Sequence, residues 1–140
     1  GAFCNDRPIR CSDKTSLREG SLGVGFSGRT HVEGIKRLVT LCCDAGTVFW
    51  RNGSGGLSLA YVATGRILGY VEEHMNAWDC MAGLLMVREA AGRVHHAASA
   101  EMLRDGGLVI SGGSGVFDDI NRLALAAFNR AAAPGLPPKS

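Results

Sequence analysis

The stretch from Arg51 to Gly92, RNGSGGLSLAYVATGRILGYVEEHMNAWDCMAGLLMVREAAG, sets two helix beginnings on either side of one acidic strand. Few folds accommodate that order. A Gly/Ser-rich turn, Asn52 to Gly56, opens an apolar helix, and a short apolar strand ending in Glu72 and Glu73 follows. Trp78-Asp79 then begins a second helix that is hydrophobic almost all round. Helix N-termini carry unpaired N–H groups and a partial positive charge, so the Gly53-Ser54-Gly55 turn suits anions or hydroxyl oxygens. A carboxylate such as Asp79 is stabilised at the same kind of position. The pattern reads as the substrate and metal side of a phosphate-handling site.

The flanking segments extend the alternation of strand and helix. Gly1 to Arg10 suggests a hairpin or strand pair around the Asn5-Asp6 turn, and Ser12 to Gly20 is polar and turn-like. Ser21 to Phe26 is a short buried-strand pattern interrupted by glycines. Thr30-His31-Val32-Glu33 matches a capping box, and Ile35, Leu38, Val39, Cys42 and Cys43 fall on one helical face that Gly46 terminates. Thr47 to Trp50 reads as a buried strand leading into the glycine turn. Further on, Arg93 to Ala97 and Leu108 to Ser111 read as strands, with a helical turn at Ala100 to Arg104 between them. A last helix is expected from Val116 to Ala132, with Phe117, Ile120, Leu123, Ala124, Ala127 and Phe128 as its apolar stripe. Residues 133–140 form a tail that cannot continue it. The order predicts an α/β fold, a layered sheet covered by helices, in which ligands gather where strand ends meet helix N-termini.

Composition narrows the function classes. The 140 residues, 46% hydrophobic, suffice for one globular domain over 1–140 with its own core. Fifteen basic and thirteen acidic residues are nearly balanced and unclustered, which argues against a nucleic-acid stripe or a membrane-surface patch. No apolar run approaches the roughly 20 residues of a membrane span, so a soluble, cytoplasmic protein is expected. The five cysteines, Cys4, Cys11, Cys42, Cys43 and Cys80, are odd in number and lack C-x-x-C spacing, which favours reduced thiols. Cys42, Cys43 and Cys80 fall on predicted core faces. His31, His74, His95 and His96 lack ligand spacing, and His74 alone lies near the proposed site. The chain opens at Gly1, without methionine, and reads as a piece of something longer.

Gly-Ser-x-x-Leu-x-Leu-Ala-Tyr-Val-Ala-x-Gly-Arg at Gly53 to Arg66, Glu72, Trp78-Asp79-x-x-Ala-Gly at Trp78 to Gly83, and Arg88-Glu89-Ala90 with Gly92 closely resemble the C-terminal half of the inositol monophosphatase family. The opening Gly1-Ala2-Phe3-Cys4-Asn5 resembles the strand and turn after that family's first metal motif, so the resemblance extends from Gly1 to Phe128. It implies the layered sugar-phosphatase fold and a magnesium-dependent hydrolase of small polyol or sugar phosphates such as inositol monophosphate. It also implies that Asp79 is a Mg2+ ligand reaching a substrate hydroxyl, that Glu72 contacts the polyol, and that Gly53, Ser54 and Gly55 line the substrate.

One departure matters as much as the match. The family's Asp-Pro-x-Asp-Gly-Thr motif does not occur here, and one Asp cannot hold a hard cation cluster. Gly55-Gly56 also stand where small alanines are usual in this turn. The chain is therefore expected to be the C-terminal half of a phosphatase, inactive alone, whose N-terminal half belongs to the same or a companion chain. The catalytic residues are expected in that half. An apolar flank left open is expected to drive self-association into a homo-oligomer such as a dimer. The alternative is a noncatalytic assembly or binding module of the same fold. Each site residue also has a plainer reading: Asp79 as a helix-end carboxylate, the glycine turn as a connection, Trp78 as a packing residue. Glu72 and Glu73 compete for the inward position, which only the spacing to Asp79 decides for Glu72.

Overall fold

The computed structural model describes residues 1–95 and 100–129. The chain begins with β1 (Phe3–Cys4) and β2 (Arg7–Pro8), paired antiparallel across Asn5 and Asp6. Both turn residues have positive φ, 51° and 61°, as a two-residue hairpin loop requires. A short 3-10 helix, Leu17–Glu19, follows. Then come β3 (Ser21–Gly25), α1 (Val32–Ala45), β4 (Val48–Trp50), α2 (Gly55–Ala63) and β5 (Gly69–Met75). The order ends with α3 (Ala77–Glu89), β6 (Gly92–Val94), α4 (Ala100–Asp105), β7 (Gly107–Gly113) and α5 (Phe117–Ala127).

Five strands form one sheet in the order β4-β3-β5-β7-β6. β3 runs parallel to β4 and β5, whereas β7 is antiparallel to both β5 and β6. Helices cover both faces, as expected of the α/β pattern. On one face Leu38 and Cys42 of α1 and Ile120, Ala124 and Leu125 of α5 pack with Leu22, Val24, Val71 and Ile110. On the other, Leu59 and Val62 of α2 and Cys80, Leu84 and Val87 of α3 pack with Tyr70, Met75 and Val109. The two-residue period of β3 explains its glycines: Leu22 and Val24 face α1 and α5, while Gly23 and Gly25 face Tyr70 on the other side. A Cβ at Gly23 would stand 2.8 Å from the Tyr70 ring.

Several expectations are corrected. The capping box belongs to Ser16 and Glu19: the Ser16 hydroxyl accepts from the Arg18 N–H and the Glu19 carboxylate from the Ser16 N–H. At Thr30 to Glu33 none forms. The N-cap is His31, Thr30 donates instead to the Ser27 carbonyl, and Glu33 pairs with Lys36. The strand expected at Thr47 to Trp50 forms as β4, Val48–Trp50, but at the sheet edge, where only β3 adjoins it and Val48 is 65% exposed. Cys43 is exposed, because the α1 face that packs on the sheet is centred on Leu38 and Cys42. The acidic strand does not end at Glu73; it continues to Met75 through a register shift after Glu72. His74 lies away from the cleft, with Nε2 3.0 Å from the Asp105 carbonyl. The last helix ends at Ala127, and residues 130–132, like 96–97 of the expected strand, lie outside the described residues. Among the described residues no helix is long and apolar enough to cross a membrane.

α2 and α3 approach each other at Gly83, where an added Cβ would meet the Leu59 side chain, its Cγ at 3.2 Å. Leu59 is fully buried and cannot retreat into solvent. Alanine gains about 1 kcal/mol in helix propensity, but overpacking at such a contact costs about 1–3 kcal/mol. Gly83→Ala is therefore expected to lower stability by about 1 kcal/mol, read from urea unfolding; a stabilised variant would show that the helices separate freely.

Candidate functional site

The C-terminal end of β3, the middle of β5 and the N-termini of α2 and α3 enclose a cleft of about 440 Å³. Gly53, Ser54, Gly55, Glu72 and Asp79 all line it. The parallel pairing of β3 with β5, with Gly25 opposite Glu72, brings the two strands together there. The structure thus gathers these five residues at one place.

The turn before α2 is held by its own polar side chains. The Asn52 carbonyl oxygen accepts from the Ser54 N–H at 2.9 Å and from the Ser58 hydroxyl at 3.2 Å. Ser54 caps α2, its hydroxyl accepting from the Leu57 N–H at 3.2 Å. Gly53 takes φ +81°, a conformation that glycine adopts without penalty. Gly55 passes close to the Met75 side chain, whose terminal methyl group a Cβ at that position would displace. Gly55 and Gly56 occupy the first turn of α2, where N–H groups lack intrahelical acceptors and are directed beyond the helix end.

The strand resolves the choice between the two glutamates. Glu72 faces the cleft and is 9% exposed. Its Oε2 accepts a 2.6 Å hydrogen bond from the Tyr70 hydroxyl, two residues earlier on the same face. Glu73 turns the other way, toward Gly34 of α1. Burial, reinforced by the Glu72 carboxylate, pushes the Tyr70 hydroxyl well above the usual tyrosine range, so it remains a neutral donor.

Asp79 is exposed and sits in the first turn of α3, where the helix dipole favours a carboxylate. The Cys80 thiol is pushed up to about 11, first by its own burial and then by the charges of Asp79 and Glu72. Cys80 is therefore a protonated core thiol that donates toward the Asn76 carbonyl, and not a nucleophile. Glu72 and Asp79 are the carboxylates of the lining, and Arg51 is its cation. Asp79 offers the hard, exposed oxygen donor that Mg2+ takes. Among the described residues no group of three or more His, Cys, Asp or Glu side chains is placed to hold a metal. The site present fits one side of such an ion.

Arg51, Asn52, Ser58 and Tyr70 also line the cleft, although no site role was assigned to them from the sequence. Tyr70 was readable from its place two residues before Glu72, and Asn52 and Ser58 from their spacing around Ser54. Arg51, which ties the turn to the Phe26 carbonyl at 3.2 Å, carries no sequence signal of its own. Trp78 is corrected: it is 80% exposed at the cleft rim and packs in no core, because α3 turns that position outward.

The family model for the inositol monophosphatase family matches residues 1–130. An inositol-1-monophosphatase from Mesorhizobium japonicum is 38% identical over 115 residues, which are 80% of this chain and 43% of that protein. The Nus factor SuhB of Xylella fastidiosa is 41% identical over 98 residues, 67% of this chain and 35% of that protein. The crystal structure of extragenic suppressor protein suhB from Bartonella henselae superposes with a TM-score of 0.79 at 30% identity, covering 89% of this chain and 48% of that one. The chain spans less than half the length of these curated relatives.

The turn supplies a test of its geometry. A Cβ at Gly53 meets nothing within 4 Å, so the penalty for Gly53→Val lies in the positive φ alone, about 1–3 kcal/mol. The variant is expected to fold, to lose about that much in urea unfolding, and to shift the amide resonances of Ser54, Gly55 and Gly56. Unmoved resonances in a folded variant would show that Gly53 does not set the direction of those N–H groups.

Proposed function

Because this chain belongs to the inositol monophosphatase family, we propose that its cleft is the polyol-facing and metal-facing wall of a Mg2+-dependent phosphatase of small polyol or sugar phosphate monoesters, such as inositol monophosphate. The observation that carries the reading is convergence: a buried carboxylate, an exposed carboxylate and an N–H-lined turn share one cleft. In this reading Glu72 accepts a hydroxyl group of the polyol, and the backbone of Gly53, Ser54 and Gly55 lies along the substrate. Asp79 would hold the cation and reach a neighbouring hydroxyl. Mg2+, when bound, supplies charge stabilisation to the phosphoryl oxygens and acidifies water.

A hard cation takes six or more oxygen ligands, and phosphatase sites draw several from carboxylates. The described residues bring no such group together, so we assign the remaining carboxylates, and the catalytic residues, to an N-terminal half in the same or a companion chain. Residues 1–140 then make up the C-terminal α/β domain. Leu57, Trp78 and Leu85, exposed on α2 and α3, give it an apolar face for that half and a route to homo-oligomers when the half is absent. Cytoplasmic residence accords with the free thiols of Cys4, Cys11, Cys42, Cys43 and Cys80. Relatives named Nus factor SuhB favour a second reading, in which the same fold serves as a noncatalytic assembly module.

Two measurements separate these readings. Purified residues 1–140 are expected to release no phosphate from inositol monophosphate with Mg2+, and chelator-sensitive release would overturn the division of labour. In the complete enzyme, Asp79→Asn is expected to leave the fold nearly intact, to raise the Mg2+ concentration needed for activity, and to cost several kcal/mol in turnover. Glu89→Gln, at the exposed far end of α3, is the control and should change little. Wild-type turnover and Mg2+ dependence in Asp79→Asn would reduce Asp79 to a helix-end carboxylate. Absence of activity in the complete wild type would favour the assembly module.

A further inference from the structure

The Tyr70 hydroxyl stands where three elements of the cleft meet. It donates to Glu72 Oε2 at 2.6 Å within β5. It lies 3.3 Å from where a Cβ of Gly55 would stand at the start of α2. On the third side is β3, where a Cβ at Gly25 would overlap both the Tyr70 hydroxyl and Glu72 Oε2. Tyr70 is itself 3% exposed, with its ring in the core under α2 and α3. Gly23 leaves room for that ring and Gly25 leaves room for the hydroxyl and the carboxylate. β3 thus presents no side chain at the two positions beside this pair.

A carboxylate has two oxygens, and a phenol has one proton to give. Here the proton goes to Oε2, which leaves Oε1 of Glu72 for the cleft. A glutamate side chain has three rotatable bonds, and a ligand that must order it loses affinity to the lost freedom. The rigid ring of Tyr70 removes that cost before any ligand arrives, in the way a supporting hydrogen bond holds a site residue in place. Because its proton is committed to Glu72, Tyr70 acts on a ligand through Glu72.

We propose that Tyr70 is a positioning residue that holds Glu72 Oε2, so that the remaining oxygen accepts one hydroxyl group of a polyol phosphate and the site favours hydroxylated substrates over hydroxyl-free monoesters. The proposal rests on the reading of the cleft as the polyol-facing wall of a phosphatase. It adds the group that makes Glu72 selective.

The test is steady-state kinetics of the complete enzyme with inositol monophosphate and with phenyl phosphate, which has no hydroxyl to offer. Tyr70→Phe keeps the ring and removes only the donor. It is expected to raise KM for inositol monophosphate about tenfold more than KM for phenyl phosphate, as loss of a hydrogen bond to a charged group predicts. In a Glu72→Gln background the same substitution should add no further selectivity loss, since the partner is already changed. Where Tyr70→Phe does not fold, 3-fluorotyrosine at position 70 keeps the ring and the hydroxyl and alters only the strength of the donor, and a ratio of the two KM values unchanged from wild type would then overturn the positioning role. If Glu72→Gln impairs inositol monophosphate selectively while Tyr70→Phe impairs both substrates equally or neither, the positioning role is overturned and the phosphatase reading stands. If Glu72→Gln itself shows no preference between the substrates, the polyol wall is misplaced and the role of Tyr70 falls with it.

Discussion

The structure depends on the register of β5. This strand lies between β3 and β7, and its pairing with β3 sets Gly25 opposite Glu72. Side chains of a strand alternate, so a slip by one residue would turn Glu72 into the apolar layer of Leu38 and Ile120 and bring Val71 into the cleft. Val71, wholly buried against α1 and α5, opposes that slip, and Tyr70, packed on the other face, opposes it again. Apolar burial at about 25 cal/mol per Å² acts on both faces at once. The site carboxylate is thereby aimed by neighbours that take no part in its chemistry.

The electrostatics of the cleft follow from the same geometry. Two helices begin at its wall, each with the positive end of its dipole there, and two carboxylates share the cleft: Glu72 buried and held by a phenol, Asp79 exposed in the first turn of α3. The two acids therefore have different chemical characters. Glu72 has a fixed orientation and one satisfied oxygen; Asp79 keeps its oxygens open to solvent. Cys80 beside Asp79 is held protonated and adds no charge.

Much of this arrangement was legible in the sequence because its signals are local. The Asn52 to Gly56 turn, the stop at Gly46, the hairpin at Asn5-Asp6 and the alternation of strands and helices each follow from a few adjacent residues. What was not legible depends on distant neighbours. Val48 and Phe49 have the composition of a buried strand, and only the sheet order shows that β4 is an edge. Cys43 neighbours the apolar stripe of α1 but misses the face in contact. Trp78 looks like core until α3 is oriented against α2. The false capping box at Thr30 and the true one at Ser16 differ in whether the hydroxyl has a nearer carbonyl to bond, as Thr30 has at Ser27. Glu72 and Glu73 are chemically alike, and the pleat alone separates them.

The parallel pairing of β3 with β5 has a kinetic side. Between Gly25 and Gly69 lie α1, β4 and α2, and between β5 and β7 lie α3, β6 and α4. Such distant pairings carry loop-closure entropy before any contact rewards it, and they slow folding. The hairpin and the individual helices can form early, but the cleft cannot: its walls come from segments that join only when the sheet condenses. A chain in which the sheet has not formed therefore leaves Gly25 of β3 apart from Glu72 of β5, and the cleft exists only once those strands pair.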